Sequence, residues 1–341
     1  MTEPGLFAPS VVRARLCRAE MDRILWSSVR ELLGQLVGDA LPPAAMAGGN
    51  HPTDMLDYAA YFDLALAHYP TVEVTEPARA RAIAHLQARL AAGPLVEATA
   101  EPPRLSHFSQ QLYTPEQLDQ MRRWWDIEPA NRMSIGETSD EDFRRSRAAF
   151  GTALSHLRNA APELCEETQI IVRDVVFSQP DGNQLINYSG ASSFALWGAL
   201  TINCETQRDW TQHYRQLVHE AGHNLLFGLA RDEQFVLDDP ADRHRSPIRD
   251  DPRPMDGIFH AAFVSAREAL AIDALLILSE QTGCLPEDDA GILEDMLEIS
   301  VPAFWEALDT LRTSATLTPL GTQLLADCEA YMSANFAFET C

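Results

Sequence analysis

The chain has 341 residues, 46% of them hydrophobic and 22% charged, with a mean hydropathy of -0.18, enough apolar mass for one large core or two modest ones. Its net charge of -24 argues against a nucleic-acid backbone or an anionic membrane as partner. All 26 basic residues are Arg and none is Lys, which excludes Schiff-base catalysis, a pyridoxal-phosphate lysine and a Walker A loop.

Taken in chain order, the first hundred residues are predicted helical. Residues 11–37 place Leu16, Ile24, Leu25, Val29, Leu32 and Leu33 at helical spacing among Arg and Glu. Residues 54–68 and 76–91 repeat the pattern, the second stopped by Gly93-Pro94. The Pro- and Gly-punctuated stretch 41–52 reads as loop. Helices are expected at 114–125, with Pro115 at the first helical position, and at 139–159. The texture then changes: 169–177 is rich in β-branched residues and is followed by an Asp181-Gly182 turn, so 169–177, 185–188 and 194–204 read as strands. Helices resume at 210–229, 258–282, 288–311 and 320–337.

The expected class is α+β, predominantly helical, with a small β-sheet preceding one motif-bearing helix and helical regions at both ends. Residues 1–105 read as an N-terminal helical region and 106–341 as a metal-binding catalytic domain, with one integrated domain as the equal alternative. Six scattered cysteines without a C-x-x-C pair, no basic n-region before an apolar stretch and no apolar run near 18 residues lead to the expectation of a reduced, cytoplasmic protein.

The chemistry concentrates at His219-Glu220-Ala221-Gly222-His223, an H-E-x-x-H sequence. On a helix, residues four apart share a face, so the two imidazoles can bind one divalent ion. Glu220 beside them can serve as a base toward a metal-bound water or orient a ligand. Chance placement of 10 His and 25 Glu in this length yields such a motif in roughly 2% of sequences. His260, in the first turn of an apolar helix, is the first choice as third metal ligand, and Glu268 its rival. Arg267 lies two turns beyond His260 on nearly the same face, about 10 Å along. Its guanidinium could hold the far carboxylate of a small diacid chelating the metal, or simply pair with a neighbouring acid. Arg253 is the second candidate for an anion. The polar segment 232–254 between these helices reads as a lid or as a solvated connection.

H-E-x-x-H on a helix, followed by Arg253-Pro-Met-Asp-Gly-Ile-Phe-His260-Ala-Ala-Phe-Val-Ser-Ala-Arg267, resembles the H-E-x-x-H peptide-modification proteins of ribosomal peptide natural-product pathways. The resemblance covers roughly residues 154–337. It implies an iron(II) and 2-oxoglutarate-dependent dioxygenase, an oxidoreductase that β-hydroxylates a residue of a precursor peptide in association with other peptide-maturation enzymes. By motif, His219, His223 and His260 would hold iron, with Glu220 in the motif's acidic position. The assignment of Arg267 or Arg253 to 2-oxoglutarate comes from geometry instead. Such oxygenases usually carry two His and one carboxylate, a place that Glu268 or Asp256 would fill if His260 does not.

The alternative is a zinc metallopeptidase with Glu220 as general base; that reading leaves the 253–267 string without a role. A peptide-binding scaffold with a structural metal is a third, non-enzymatic possibility.

Overall fold

The computed structural model describes residues 5–37, 53–65, 72–92, 102–127, 132–248 and 251–336. Among them run ten α-helices and five short strands: α1 (Val11–Val37), α2 (Met55–Leu64), α3 (Glu76–Ala91), β1 (Arg104–His107), α4 (Pro115–Trp125), β2 (Ile135–Gly136), α5 (Asp140–Ala160), α6 (Pro162–Ile171), β3 (Asp174–Pro180), β4 (Gly190–Ser192), β5 (Ala199–Asn203), α7 (Trp210–Leu229), α8 (Met255–Thr282), α9 (Glu287–Ser314) and α10 (Pro319–Asn335). The protein is α+β and predominantly helical, as its patterning predicts. Among the described residues, no helix is long and apolar enough to cross a membrane.

The chain divides into two compact units. One comprises Val12–Ala148 and Gln169–Arg208 and holds the sheet, in strand order β1-β3-β5-β4. β1 and β5 flank β3 in parallel, β4 runs antiparallel to β5, and β2 pairs antiparallel with the end of β3. The central strands are buried on both faces, with Val175, Val176, Phe177, Leu200 and Ile202 inaccessible, hence their continuous apolar runs. Their buried hydroxyls are paired: Ser178 Oγ lies 2.8 Å from Tyr188 Oη and 2.7 Å from Thr201 Oγ1, which donates to the Val176 carbonyl.

Around the sheet, α1 buries Ala14, Cys17, Met21, Leu25, Val29 and Leu33 at three- and four-residue steps, one apolar stripe of an amphipathic helix. α2 is bound to its neighbours through two buried carboxylates. Asp57 accepts from Arg89 and contacts His85 of α3 at 2.9 Å, while Asp63 accepts from Gln120, Arg123 and Trp124 of α4.

Besides the short strand β4, which the patterning does not predict, the β-rich region differs from the sequence expectation in three places. Residues 169–171, expected to begin a strand, end α6, a helix absent from the expectation. Pro162 opens it with Glu163 in its first turn, a favourable helix start, and Arg18 donates to the otherwise free carbonyls of Ile170 and Ile171 at its end. Residues 185–188 form a loop held by the Arg132 carbonyl, which accepts from the Leu185 N–H. Of 194–204, residues 194–196 are a 3-10 turn, and Gly198 at φ 83° delays the strand to Ala199.

The other unit comprises Met1–Val11, Ala149–Thr168 and Asp209–Cys341. At its centre is α8, 28 residues long, or about 42 Å. Its first three quarters, Met255 to Leu275, are buried nearly all round, and α7, α9 and α10 pack against it. α8 and α9 start earlier than the periodicity suggests, at Met255 and Glu287, because Pro254 and Pro286 provide the extended N-cap backbone. Gly283, in the left-handed region at φ 66°, ends α8. α10 ends at Asn335, and residue 337 lies outside the described residues. In the described part of the 232–254 segment, Val236 forms an isolated antiparallel bridge with Leu317, and His244 forms one with Arg253 within the segment.

Candidate functional site

The site lies within the helical unit, on the facing sides of α7 and α8. α7 is N-capped by Asp209, whose backbone N–H donates to the Gln212 side chain, and runs from Trp210 through His219 to Leu229 without interruption. Three features fix it against its neighbours. The Tyr214 hydroxyl donates to the Ala271 carbonyl of α8 at 2.7 Å, and Trp210 Nε1 donates to Asp289 of α9 at 3.1 Å. At Gly222 a Cβ would stand 3.1 Å from Val264 and 3.7 Å from Phe263, so the motif's glycine lets the two helices close at the histidines.

His219 and His223 project together, their Nε2 atoms 3.2 Å apart. Two nitrogens on one ion at bond lengths of about 2.1 Å stand roughly 3.0 Å apart in octahedral and roughly 3.4 Å apart in tetrahedral geometry. The pair therefore fits a shared ion of either kind. His260 stacks on His223 with ring centroids 5.1 Å apart, Nδ1 facing Nδ1 at 2.9 Å. His223 thus meets His219 with one nitrogen and His260 with the other. One ring presents a single lone pair to a given ion, so His260 joins the pair only after a ring rotation. Consistent with this, no group of three or more His, Cys, Asp or Glu among the described residues is already arranged around a metal position. The donor set fits a two-histidine anchor with a third imidazole beside it.

Glu268, considered above as the rival ligand, lies on the opposite edge of His219. Its Oε1 is 2.7 Å from His219 Nδ1, and its Oε2 accepts from Arg215 Nε at 2.9 Å and from Ser300 Oγ at 2.5 Å. Burial alone would raise this carboxyl, but Arg215 and His219 hold it down at about 2. Burial would likewise lower the His219 imidazole, yet the hydrogen bond and charge of Glu268 leave it above its usual value. His223 is pushed well below the usual value by burial and then by the charges of His219, His260 and Arg253, and burial also lowers His260. Asp256 is 3.9 Å from His260 Nε2 and exposed.

Glu220 is buried and its Oε1 accepts from Gln216 Nε2 at 2.7 Å. Arg253 donates to Asp251 at 3.0 Å, and its charge reaches His223. Arg267 is 2% exposed and pairs with Glu167 of α6 through one terminal nitrogen at 2.6 Å. Its Nε and other terminal nitrogen are buried without a hydrogen-bond partner among the described residues. The ring of Phe7 lies 5.3 Å from its guanidinium carbon and that of Phe263 5.1 Å. Arg215, Ser300 and Glu167 were not singled out from the sequence. Arg215 has a sequence signal, one turn before His219 on the same face; Ser300 and Glu167 reach the site from distant segments and have none.

No protein-family model matches the chain, and no curated protein is similar to it in a sequence search.

Proposed function

We propose that the protein is a metal-dependent oxygenase of the H-E-x-x-H peptide-modification type, β-hydroxylating a residue of a ribosomally made precursor peptide in the cytoplasm. The observation that carries this reading is the 3.2 Å approach of His219 Nε2 and His223 Nε2 on one face of α7, a spacing suited to a shared divalent ion, with His260 alongside as the third imidazole. Iron(II), when bound with 2-oxoglutarate, supplies dioxygen activation, while the cosubstrate leaves as succinate and carbon dioxide.

The chain's own groups have separate tasks in this reading. His219, His223 and His260 hold the ion. Two arginines compete for the cosubstrate's far carboxylate, and they offer different things: Arg253 lies within electrostatic reach of His223, whereas Arg267 has an unpartnered Nε edge, the side-on fork that matches a carboxylate. Glu220, held by Gln216, is the acid-base group nearest in sequence to the pair and orients the bound peptide or a water. The net charge of -24 favours a basic peptide over an acidic one.

The test is an anaerobic titration of the iron(II)-loaded protein with 2-oxoglutarate, followed by visible absorption. A weak charge-transfer band that saturates with cosubstrate is expected. Its absence, together with one tightly held zinc and proteolysis that Glu220→Gln abolishes, would transfer the assignment to a metallopeptidase. His219→Ala should lose both metal binding and hydroxylation; hydroxylation retained in that variant would refute the site.

A further inference from the structure

We infer that Glu268 is a positioning residue for His219 and not a metal ligand: it grips the ring at Nδ1 so that the Nε2 lone pair is presented to the ion. The inference rests on the metal-binding reading above. The two nitrogens of an imidazole lie on different edges of the ring, so a carboxylate on Nδ1 is on the side away from whatever Nε2 binds. Glu268 Oε1 is 2.7 Å from Nδ1, while Nε2 of the same ring faces His223 Nε2 at 3.2 Å.

The carboxylate is also committed elsewhere. Its second oxygen accepts from Arg215, one helical turn before His219 on α7, and from Ser300 of α9. Glu268 itself comes from α8 and is 2% exposed. One carboxylate on α8 therefore gathers three donors from two other helices, α7 and α9, and moving it to the Nε2 side would break all three contacts and leave the Arg215 charge without its partner. With Oε1 accepting the Nδ1 proton, the bound ring keeps the tautomer in which Nε2 is the donor atom to the metal. Carboxylates placed in this way raise ligand basicity and restrict ring rotation, and their loss typically weakens metal binding about 10–100-fold.

The experiment uses the full chain with cobalt(II) as a visible probe, reading affinity by chelator competition and the ligand set by the d–d bands. Glu268→Gln keeps the side chain's shape. It should weaken cobalt binding about tenfold or more while the band positions and intensities stay those of the unsubstituted protein. Unchanged affinity overturns the inference, and so does a shifted or intensified d–d spectrum, which would mean that a ligand has been lost. Should Glu268→Gln fail to fold, Ser300→Ala is read instead, since it removes one contact to Oε2 and touches neither histidine. A severalfold weakening with unchanged bands is then expected, and no change overturns the inference. Failure of the unsubstituted chain to bind cobalt would refute the metal-binding reading itself, an outcome distinct from both.

Discussion

Each of the two units contains a buried arginine stacked on aromatic rings, and the two are satisfied very differently. In the sheet unit, Arg18 lies 4.1 Å from the ring of Trp197 and donates Nε to the Ile170 carbonyl at 3.2 Å, with a terminal nitrogen donating to Ile171. Asp22 stands 3.8 Å from its other terminal nitrogen. The site is filled so closely that a Cβ on Gly198 would come within 2.6 Å of the guanidinium. In the helical unit, Arg267 has one ion pair, to Glu167, whose other oxygen accepts from the Ser10 backbone N–H at 2.8 Å. The rest of its fork is buried and unpartnered among the described residues. An unmade hydrogen bond on a buried charged group is costly, so the saturated Arg18 is a structural clamp, whereas Arg267 is left with donors that the proposed cosubstrate carboxylate would satisfy.

The largest effect is expected at Arg18. Arg18→Met removes the donors of two helix-end carbonyls and the counter-charge of Asp22, and should cost about 3 kcal/mol or more in urea unfolding. A loss below about 1 kcal/mol would show that the clamp is not one. The corresponding change at the other arginine should read out in binding: Arg267→Lys keeps the charge toward Glu167 but loses the planar fork. Calorimetry of the iron(II)-loaded protein should then show 2-oxoglutarate affinity reduced at least about tenfold, with stability changed by about 1 kcal/mol or less. Normal affinity would pass the carboxylate to Arg253.

Smaller effects are expected at Gly222 and Asp57. Gly222→Ala forces α7 and α8 apart by a few tenths of an ångström at Val264. It should cost about 1–2 kcal/mol and loosen cobalt binding, because His223 follows the displaced backbone. A variant as stable as the parent would mean that α7 and α8 adjust freely there. In the sheet unit, burial would raise the Asp57 carboxyl, but the hydrogen bonds of His85 and Arg89 outweigh it and keep it below its ordinary 3.8. The stabilisation from this depressed carboxyl is fully present above 3.8 and is lost as pH falls through the lower folded value. The acid limb of a stability-against-pH curve should therefore be shallower in Asp57→Asn than in the parent, and an unchanged limb would remove Asp57 from that account.

Local periodicity made the long helices legible. The expected 11–37, 76–91 and 210–229 coincide with α1, α3 and α7, because an apolar residue every three or four positions needs only nearby neighbours to declare a buried face. The short strands were less so. β1, β2 and β4 have four, two and three residues, too few for alternation to register. The β-branched pair Ile170-Ile171 was captured by a helix whose carbonyls Arg18 completes from 152 and 153 residues away.

The candidate site divides in the same way. That His219 and His223 share a helix face follows from their spacing alone, since residues four apart lie on one side of a helix, and the patterning also points to His260, Glu268, Arg253 and Arg267. What each one touches depends on how the helices pack: His260 against His223, Glu268 on the Nδ1 edge of His219 with Ser300 behind it, and Arg267 against Glu167, one hundred residues earlier. Those contacts are hydrogen bonds between different helices, and spacing along one helix carries no information about which residues of the next will face it.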